Sequence, residues 1–588
     1  MKRGAERSLP IDRRDFLNGV AVSALAGWSG ALAPRDALAL GTGNPEQRWG
    51  GNDAATFETA HALRDGAFND IGSARDTGEL YDVVIVGGGI SGLTAAVALR
   101  RLAPKPLKVL ILENHPIPGG AARTDLFEVG GRRLLAPQGS IVFQDPTPGL
   151  ASEERVAALL AELLPDTATF EVPHMDRGFG IVRDDPVSNR AKLYRSLAET
   201  PIPQDVRDGY YAFLGESAGL YADPDWPGKL EALDGQSFAQ YVAARGWSPA
   251  VYEWMAPDLA NFFGLPDRVS AAAVWRQYGG GPPRIYSFPG GNAALVVALL
   301  RSLRPDSIGD RSDGGVQVEQ LANFRRLDSS PGSPSLRLGA TAVHVQHAGH
   351  PETAGHVNVT YSRGGSLETV RGRSVIMAGG AFVTQHVVRD LSKEKADALG
   401  RFLYAPVVWA NVALRNAAAL DAADPPFMTT LHGRRASLLV AYDKMNEAGW
   451  ANDRNPGRPA VVGLSIPYHY PGEPARAQAV KGRHELLAAP FDYFEEIIRE
   501  DLTAILGPWG FNGKRDLAAI SVSRWGHGYL LPAPEFLSGP ERRKAAEPLG
   551  RIAYAHTDLD GFCHVTGAAG QGYRAAREVL EMLRQDTG

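Results

Sequence analysis

Three glycines and one acid carry the strongest chemical signal in the chain. Gly87, Gly89 and Gly92 stand as G-x-G-x-x-G, and Glu113 follows. That spacing suits a diphosphate. Gly87 permits a tight turn, Gly89 lets bare backbone approach a pyrophosphate, and Gly92 lets a helix pack closely on its strand. The helix start offers N–H groups and partial positive charge to the phosphates. Glu113 is placed to accept hydrogen bonds from a ribose diol. The catalytic candidates lie far downstream. His527 and Tyr529 close the segment ISVSRWGHGY, and on a strand two residues apart share one side.

The elements around the glycines have the required order. Residues 81–86 are a short apolar strand, 93–102 a helix rich in Ala and Leu, and 107–112 a second strand ending at Glu113. Pro118, Gly119 and Gly120 then make a turn, and Arg123 after it is positioned to meet a pyrophosphate. Pro137, Gly139 and Ser140 bring backbone close to a flavin ring. Residues 375–382 form a late strand ending in Ala378-Gly379-Gly380. In the tail, 552–555 is a strand, and Asp558 and Asp560 cap a helix or contact ribityl hydroxyls. Residues 567–572, with Gly567 and Gly570, read as a second glycine-rich turn ahead of a helix at 573–583. A distant second glycine motif argues for FAD over NAD, which needs none.

The chain opens with Arg13-Arg14-Asp15-Phe16-Leu17, a small apolar run over 19–33, and Ala37-Leu38-Ala39. This reads as a twin-arginine signal peptide with a cleavage site. The apolar run is shorter than the ~20 residues a membrane span needs, so no transmembrane span is expected after processing. Export of a folded protein suits one that loads a cofactor first, and the expected location is the periplasm.

The 588 residues carry 61 basic and 66 acidic side chains, a formal charge of -5, which gives no reason to expect nucleic acid as a partner. Cys563 is the only cysteine, so intrachain disulfides, C-x-x-C-H haem attachment and cysteine-rich metal sites are excluded. His344, His347, His350 and His356 cluster in sequence but lack metal-ligand spacing, and read as a solvated loop. No metal is expected.

The fold class expected is α/β: a two-domain flavoprotein with a Rossmann-like FAD-binding domain and a substrate domain of mixed sheet plus helices. The division runs as follows: signal peptide 1–39, an N-terminal arm at 40–78 that wraps the body, FAD-binding segments 79–145, 285–382 and 546–588, and substrate segments 146–284 and 383–545. Helices are expected over 151–164, 238–244, 270–278, 293–303 (with Asn292 as N-cap) and 491–506. A helix start is expected at 193–197, and strands at 402–414 and 520–529.

Four stretches give the chain a family likeness: FPGGNAALVVALLRSLRPDSI at 288–308, YAPVVWANVAL at 404–414, SRWGHGY at 523–529 and RIAYAHTDLDG at 551–561. In these it resembles the bacterial spermidine dehydrogenase-like branch of the flavin amine oxidoreductases. The resemblance implies FAD shared between distant segments and periplasmic oxidation of a polyamine or related amine. A hydride passes from the carbon next to nitrogen, the imine hydrolyses, and electrons leave to oxygen, a quinone or a redox protein. In that reading His527 holds a water or helps keep the amine neutral near pH 7, and Tyr529 is an aromatic wall. Two departures stand out. Ala121 replaces the histidine after the Gly-Gly turn, which argues against the haem associated with the family, and Gly526 replaces a proline. Two other functions remain open: an FAD oxidoreductase or desaturase acting on C–C or C–O bonds of an apolar or phenolic substrate, and a non-catalytic flavin-binding protein.

Overall fold

The computed structural model describes residues 46–585, except 53, 145–150, 164–169, 172–178, 185–190, 280–284, 289, 310–321, 323, 330–333, 425–426, 431–434, 443–454 and 456. The twin-arginine segment lies outside the described residues. One sheet is centred on the strand Arg75–Val86, which starts well before the apolar residues 81–86 that mark it in sequence. Val83, Val84 and Ile85 are fully buried, as expected for a parallel strand covered on both faces. Parallel neighbours flank it: Val109–Leu112 on one side, paired Val83↔Val109, and Ser366–Met377 on the other, paired Val83↔Ser374. The strand Ile552–Tyr554 joins Ser366–Met377 in parallel, through Val375↔Ile552. Segments far apart in sequence are thus knitted into one sheet.

Helix Ile90–Leu102 covers one face together with Val565–Gln585. The two helices touch at backbone: a Cβ added to Gly572 would fall inside the van der Waals contact of Ser91 O. The glycine run 567–572 is therefore not a turn. It lies inside the helix Val565–Gln585, where small residues allow close approach to the neighbouring helix, so Gly567 and Gly570 occupy helical positions. The antiparallel strands Ala340–His347 and Val357–Arg363 continue the same sheet beyond Ser366–Met377 and share a core with Val84 and Leu110 on its other face. His344 and His347 belong to this strand, not to a solvated loop. His347 is buried, its Nδ1 2.5 Å from Asp390 Oδ2, and its Nε2 accepts the Arg551 N–H at 3.0 Å. It pins the C-terminal segment to the sheet.

The second sheet has eight strands in the order Glu46–Gly51, Leu517–Leu531, Leu403–Leu414, Ala460–Pro467, Leu438–Ala441, Phe427–Thr430, Phe179–Asp184 and Ala191–Tyr194. The last of these replaces the helix start expected at 193–197. Helix Phe491–Leu506 backs this sheet, with Phe494, Ile498 and Leu502 fully buried at a spacing of four. Helices Gln204–Ser217, Phe238–Ala244, Ala250–Phe263 and Ala271–Tyr278 share a separate core on its other flank. Helix Ala293–Leu303 forms as expected, but Asn292 does not cap it through its side chain. Its Nδ2 donates to Ser140 Oγ and Val142 O instead, at 2.9 and 2.8 Å, tying the helix to the segment after Gly139. Among the described residues no helix is long and apolar enough to cross a membrane.

Candidate cofactor and substrate site

The glycine loop has the geometry its sequence implies. Gly87 takes φ +116°, a left-handed conformation suited to glycine. A Cβ on Gly92 would overlap Gly87 O, so the tight turn needs hydrogen at that position. At Gly89 a Cβ would meet only Gly120 Cα, at 4.0 Å, so this side of the backbone is open. Gly120 has φ +59° and faces Gly89, and Gly119 N–H donates to Gly88 O at 2.9 Å. Leu93 N–H makes its helical bond to Gly89 O, and no side chain caps the helix ahead of it. The first N–H groups of the helix are thus left for an anion.

Glu113 is buried at the end of its strand. Its Oε2 accepts Gly88 N–H at 2.7 Å, and its Oε1 accepts both N–H and Nδ1–H of His115 at 2.8 Å. Burial pushes the carboxyl up, but the His115 ring and the two backbone donors outweigh it and hold Glu113 below the usual carboxylate range. A carboxylate has about four lone-pair sites, so capacity for a ribose hydroxyl is retained. Arg123 donates to Gly120 O at 2.9 Å and to Gly51 O at 2.6 Å, and lies 5.7 Å from the Trp525 ring. Gly139 passes that indole closely: its Cβ would lie 3.2 Å from Trp525 Nε1, which donates to Gln138 O at 2.7 Å.

Past the glycine loop Gly87 abuts Ala378, and a Cβ on Gly379 would have Val383 Cβ nearest, at 4.0 Å. A Cβ on Gly380 would come within 3.2 Å of Asp558 Oδ2. Asp558 is bonded by the Tyr404 hydroxyl and has His556 Nδ1 at 2.7 Å. Gly567 packs over Asp560 and Thr557, and Gly570 is buried one turn further along the helix. The cofactor candidates therefore line up from Glu113 through the glycine loop to Gly380 and Asp558. Asn52, His115, Tyr404 and Trp525 join them, although no motif marks these four in the sequence.

The catalytic pair is not arranged as expected. Tyr529 pairs with Ala405 and Trp525 with Val407, so residues 526–528 face Pro406 alone. Proline offers no N–H to the ladder, and the strand bulges. Alternation fails there. His527 stacks on Phe382, while Tyr529 packs beside Gly264 against the helical layer. Burial and then the Arg483 guanidinium, with smaller effects of His61, Arg64 and His386, push His527 down to about 3. It is therefore neutral near pH 7 and a weak base. Burial pushes the Tyr529 phenol up to about 12.

A second histidine is also kept neutral by its surroundings. His564, just before the C-terminal helix, accepts from Gln144 Nε2 at 2.9 Å, and burial followed by Arg276 pushes it down to about 3. Arg276 lies 4.0 Å from the Phe562 ring and donates to Asp560 O at 3.0 Å. Phe562 meets Phe263 edge-on at 5.8 Å. That contact joins the cofactor segment to helix Ala250–Phe263, which carries Asp258. Burial pushes Asp258 up to about 6 against the hydrogen bond from the Tyr278 hydroxyl, and Tyr210 stands beside it. Among the described residues no group of three His, Cys, Asp or Glu is placed to hold a metal ion.

Comparison with known proteins agrees with this geometry. Residues 85–163 match the NAD(P)-binding Rossmann-like domain family. Protoporphyrinogen oxidase 1 of Arabidopsis thaliana is 24% identical over 402 residues, 64% of this chain and 68% of that one. The rice enzyme is 27% identical over 344 residues, 56% of this chain and 58% of its own length. The chain thus spans about three fifths to two thirds of these relatives. Cyclohexylamine oxidase from Brevibacterium oxydans superposes with a TM-score of 0.56 at 16% identity, over 86% of this chain and 99% of that one. The fold is that of the flavin-dependent amine oxidases. The open face at Gly89, the uncapped helix start and the ionised Glu113 fit the dinucleotide of FAD. The chain is an FAD-dependent oxidoreductase.

Proposed function

We propose that the chain oxidises an organic amine of the polyamine type, giving an imine that hydrolyses. The observation that carries this reading is Asp258, a partly buried carboxylate beside Tyr210 and Tyr278 on the helix that meets the cofactor segment. A partly buried carboxylate favours a cationic partner, which relieves the cost of its ionisation, and the tyrosine faces suit an ammonium as well. FAD, when bound, accepts the hydride from the carbon next to nitrogen, and the electrons then pass to oxygen, a quinone or a redox protein. The residues do the rest. Asp258 anchors one nitrogen, His527 and His564 stay neutral and add no repulsion, and the aromatic walls exclude water. The likeness to the spermidine dehydrogenase branch in 523–529 and 551–561 supports the same class, and the twin-arginine segment supports a periplasmic setting.

Anaerobic mixing of the holoprotein with a panel of mono-, di- and polyamines tests the proposal by bleaching of the flavin absorbance. The expected result is reduction by at least one diamine or polyamine. Reduction by a phenol, alcohol or unsaturated apolar compound, with none by amines, overturns it. A second reading, oxidation of a carbon–carbon or carbon–oxygen bond in an apolar or phenolic substrate, is favoured by the aromatic rings beside the cofactor segment: Phe562 meets Phe263, and Arg276, ion-paired with Glu153 at 3.9 Å, covers the Phe562 ring. The porphyrinogen oxidase likeness points the same way.

A further inference from the structure

The N-terminal strand Glu46–Gly51 does more than extend a sheet edge. It runs parallel to Leu517–Leu531, in register from Glu46↔Ala519 to Gly51↔Arg524. Its last residues, still paired with Arg524, reach the Gly120 turn and the Glu113–His115 pair. Gly51 O accepts from Arg123, Gly51 N–H lies 3.3 Å from Gln138 Oε1, and Asn52 N–H donates to Arg524 O at 3.1 Å. The Asn52 amide lies 3.3 Å from His115 Nε2, and the same imidazole donates through Nδ1 to Glu113. An amide offers both a donor and an acceptor, so the contact is satisfied in either ring state. Gly51 holds φ +67°, and a Cβ on Gly50 would press on Ser523 Oγ. Beyond residue 53 the chain enters helix Ala54–Arg64, whose Leu63 is buried in the core of the first sheet.

From this we infer that residues 46–52 are a latch on the FAD groove, with Gly51 and Asn52 as positioning residues for the cofactor. Gly51 orients Arg123 beside the Gly120 turn. Asn52 orients His115, and through it Glu113, where the ribose acid must stand. The latch is an edge strand with one strand neighbour, held otherwise by side chains at the surface (Gln47 to Glu495, Arg48 to Leu126 O, Trp49 on Phe491 and Phe494), and such elements open locally more easily than a core strand does. FAD entry and release require it to lift. The inference rests on the cofactor assignment and not on the identity of the substrate.

The test measures FAD release and uptake, so its outcome is independent of any amine. In the full-length holoprotein, Gly50→Cys with Ser523→Cys places two thiols on paired positions of the parallel strands. Oxidised, this pair should slow FAD release, followed by flavin fluorescence, by about tenfold or more relative to the same protein reduced. Apoprotein oxidised before FAD is added should take it up correspondingly slowly. Separately, Asn52→Ala should speed release about tenfold. Equal rates in the oxidised and reduced forms overturn the latch. Release from Asn52→Ala at the wild-type rate overturns the positioning role. Should the double variant fail to fold, Trp49→Ala, which loosens the strand from Phe491 and Phe494, should speed release, and an unchanged rate there overturns the latch; Asn52→Gln, which keeps the amide, should restore much of the retention lost in Asn52→Ala.

Discussion

Phe382 and His527 lie face to face, their ring centroids 4.0 Å apart and their planes within 6°. Phe382 is in the first turn of the helix Ala381–Val387, just past the Gly379-Gly380 turn. His527 sits in the bulge of the strand Leu517–Leu531. Tyr404 closes the edge of the pair, 5.6 Å from His527 at 73°. The stack joins the first sheet to the second. It also explains why this histidine is neutral: an apolar ring covers one face, and Arg483 is among the charges that repel a proton.

His527→Ala should therefore slow anaerobic flavin reduction only about two- to tenfold, since an aromatic pair is worth roughly 0.5–1.5 kcal/mol. Loss of a general base would cost about 100-fold or more. His527→Phe should keep most of the rate. Stopped-flow reduction distinguishes the two, and a 100-fold loss in both variants would restore the base.

Two glycines should fail in different ways. Gly89→Val puts a branched side chain into the open face where the pyrophosphate is expected, so the protein should fold and purify colourless. Gly572→Val wedges apart the helices Val565–Gln585 and Ile90–Leu102, and overpacking of this kind costs about 1–3 kcal/mol. It should lower the melting temperature even when FAD is in excess. Normal flavin content in Gly89→Val would sink the cofactor assignment.

Asp258 gives the amine reading a pH dependence. Its carboxyl is pushed up to about 6, above the ~3.9 of an unfolded aspartate. The folded state then holds more protons between these values, so Asp258 removes stability as pH rises from about 4 to about 6, and its effect is constant above. Binding of an ammonium needs the ionised form, so KM for a diamine should climb as pH falls below 6. Asp258→Asn should flatten that limb and raise KM at pH 8 about 30-fold, the lower end for a lost partner in a buried charge pair. A KM that does not respond to Asp258→Asn would remove the anchor.

Arg13 and Arg14 lead to an expectation about location. Changing both to Lys should leave folded, flavin-loaded protein in the cytoplasm, measured by fractionation and flavin absorbance. Unchanged periplasmic accumulation would show that the leader uses another route.

Ala121 and the lone Cys563 lead to an expectation about colour. The visible spectrum of protein made with adequate iron should carry flavin bands without a Soret band. A stoichiometric haem band would contradict it, and His527 would be the first ligand to test.

What could be read from sequence depended on how local each cause is. Gly87, Gly89 and Gly92 answer to one turn, and their spacing is enough. Asn411 and Trp409, buried on the strand Leu403–Leu414, follow from an apolar run. The bulge at 526–528 is set by Pro406 on another strand, so the alternation that put His527 and Tyr529 together had no means to detect it. The run Gly567–Gly572 has the composition of a turn, and only the helix of Ser91 beside it explains glycine within a helix. Asp258 and Asn52 are single polar residues in a helix and an arm. Their meaning comes from Tyr278 and His115, which reach them only in the folded chain.

The meeting of Gly572 with Ser91 sets a clock for biosynthesis. The fingerprint leaves the ribosome well before the helix that packs on it. At about 5–20 residues per second, roughly 25–100 s separate the two glycines Gly87 and Gly572 during translation. Throughout that interval the strand Val83 to Val86 and the helix after it lack the apolar flank that Val565–Gln585 supplies in the folded chain. A chain stalled before Val565 would carry every glycine of the loop and still lack the wall at its back. Saturation with flavin should therefore rescue yield only for chains already released from the ribosome, and truncated products should be cleared by proteolysis however much flavin the cell holds.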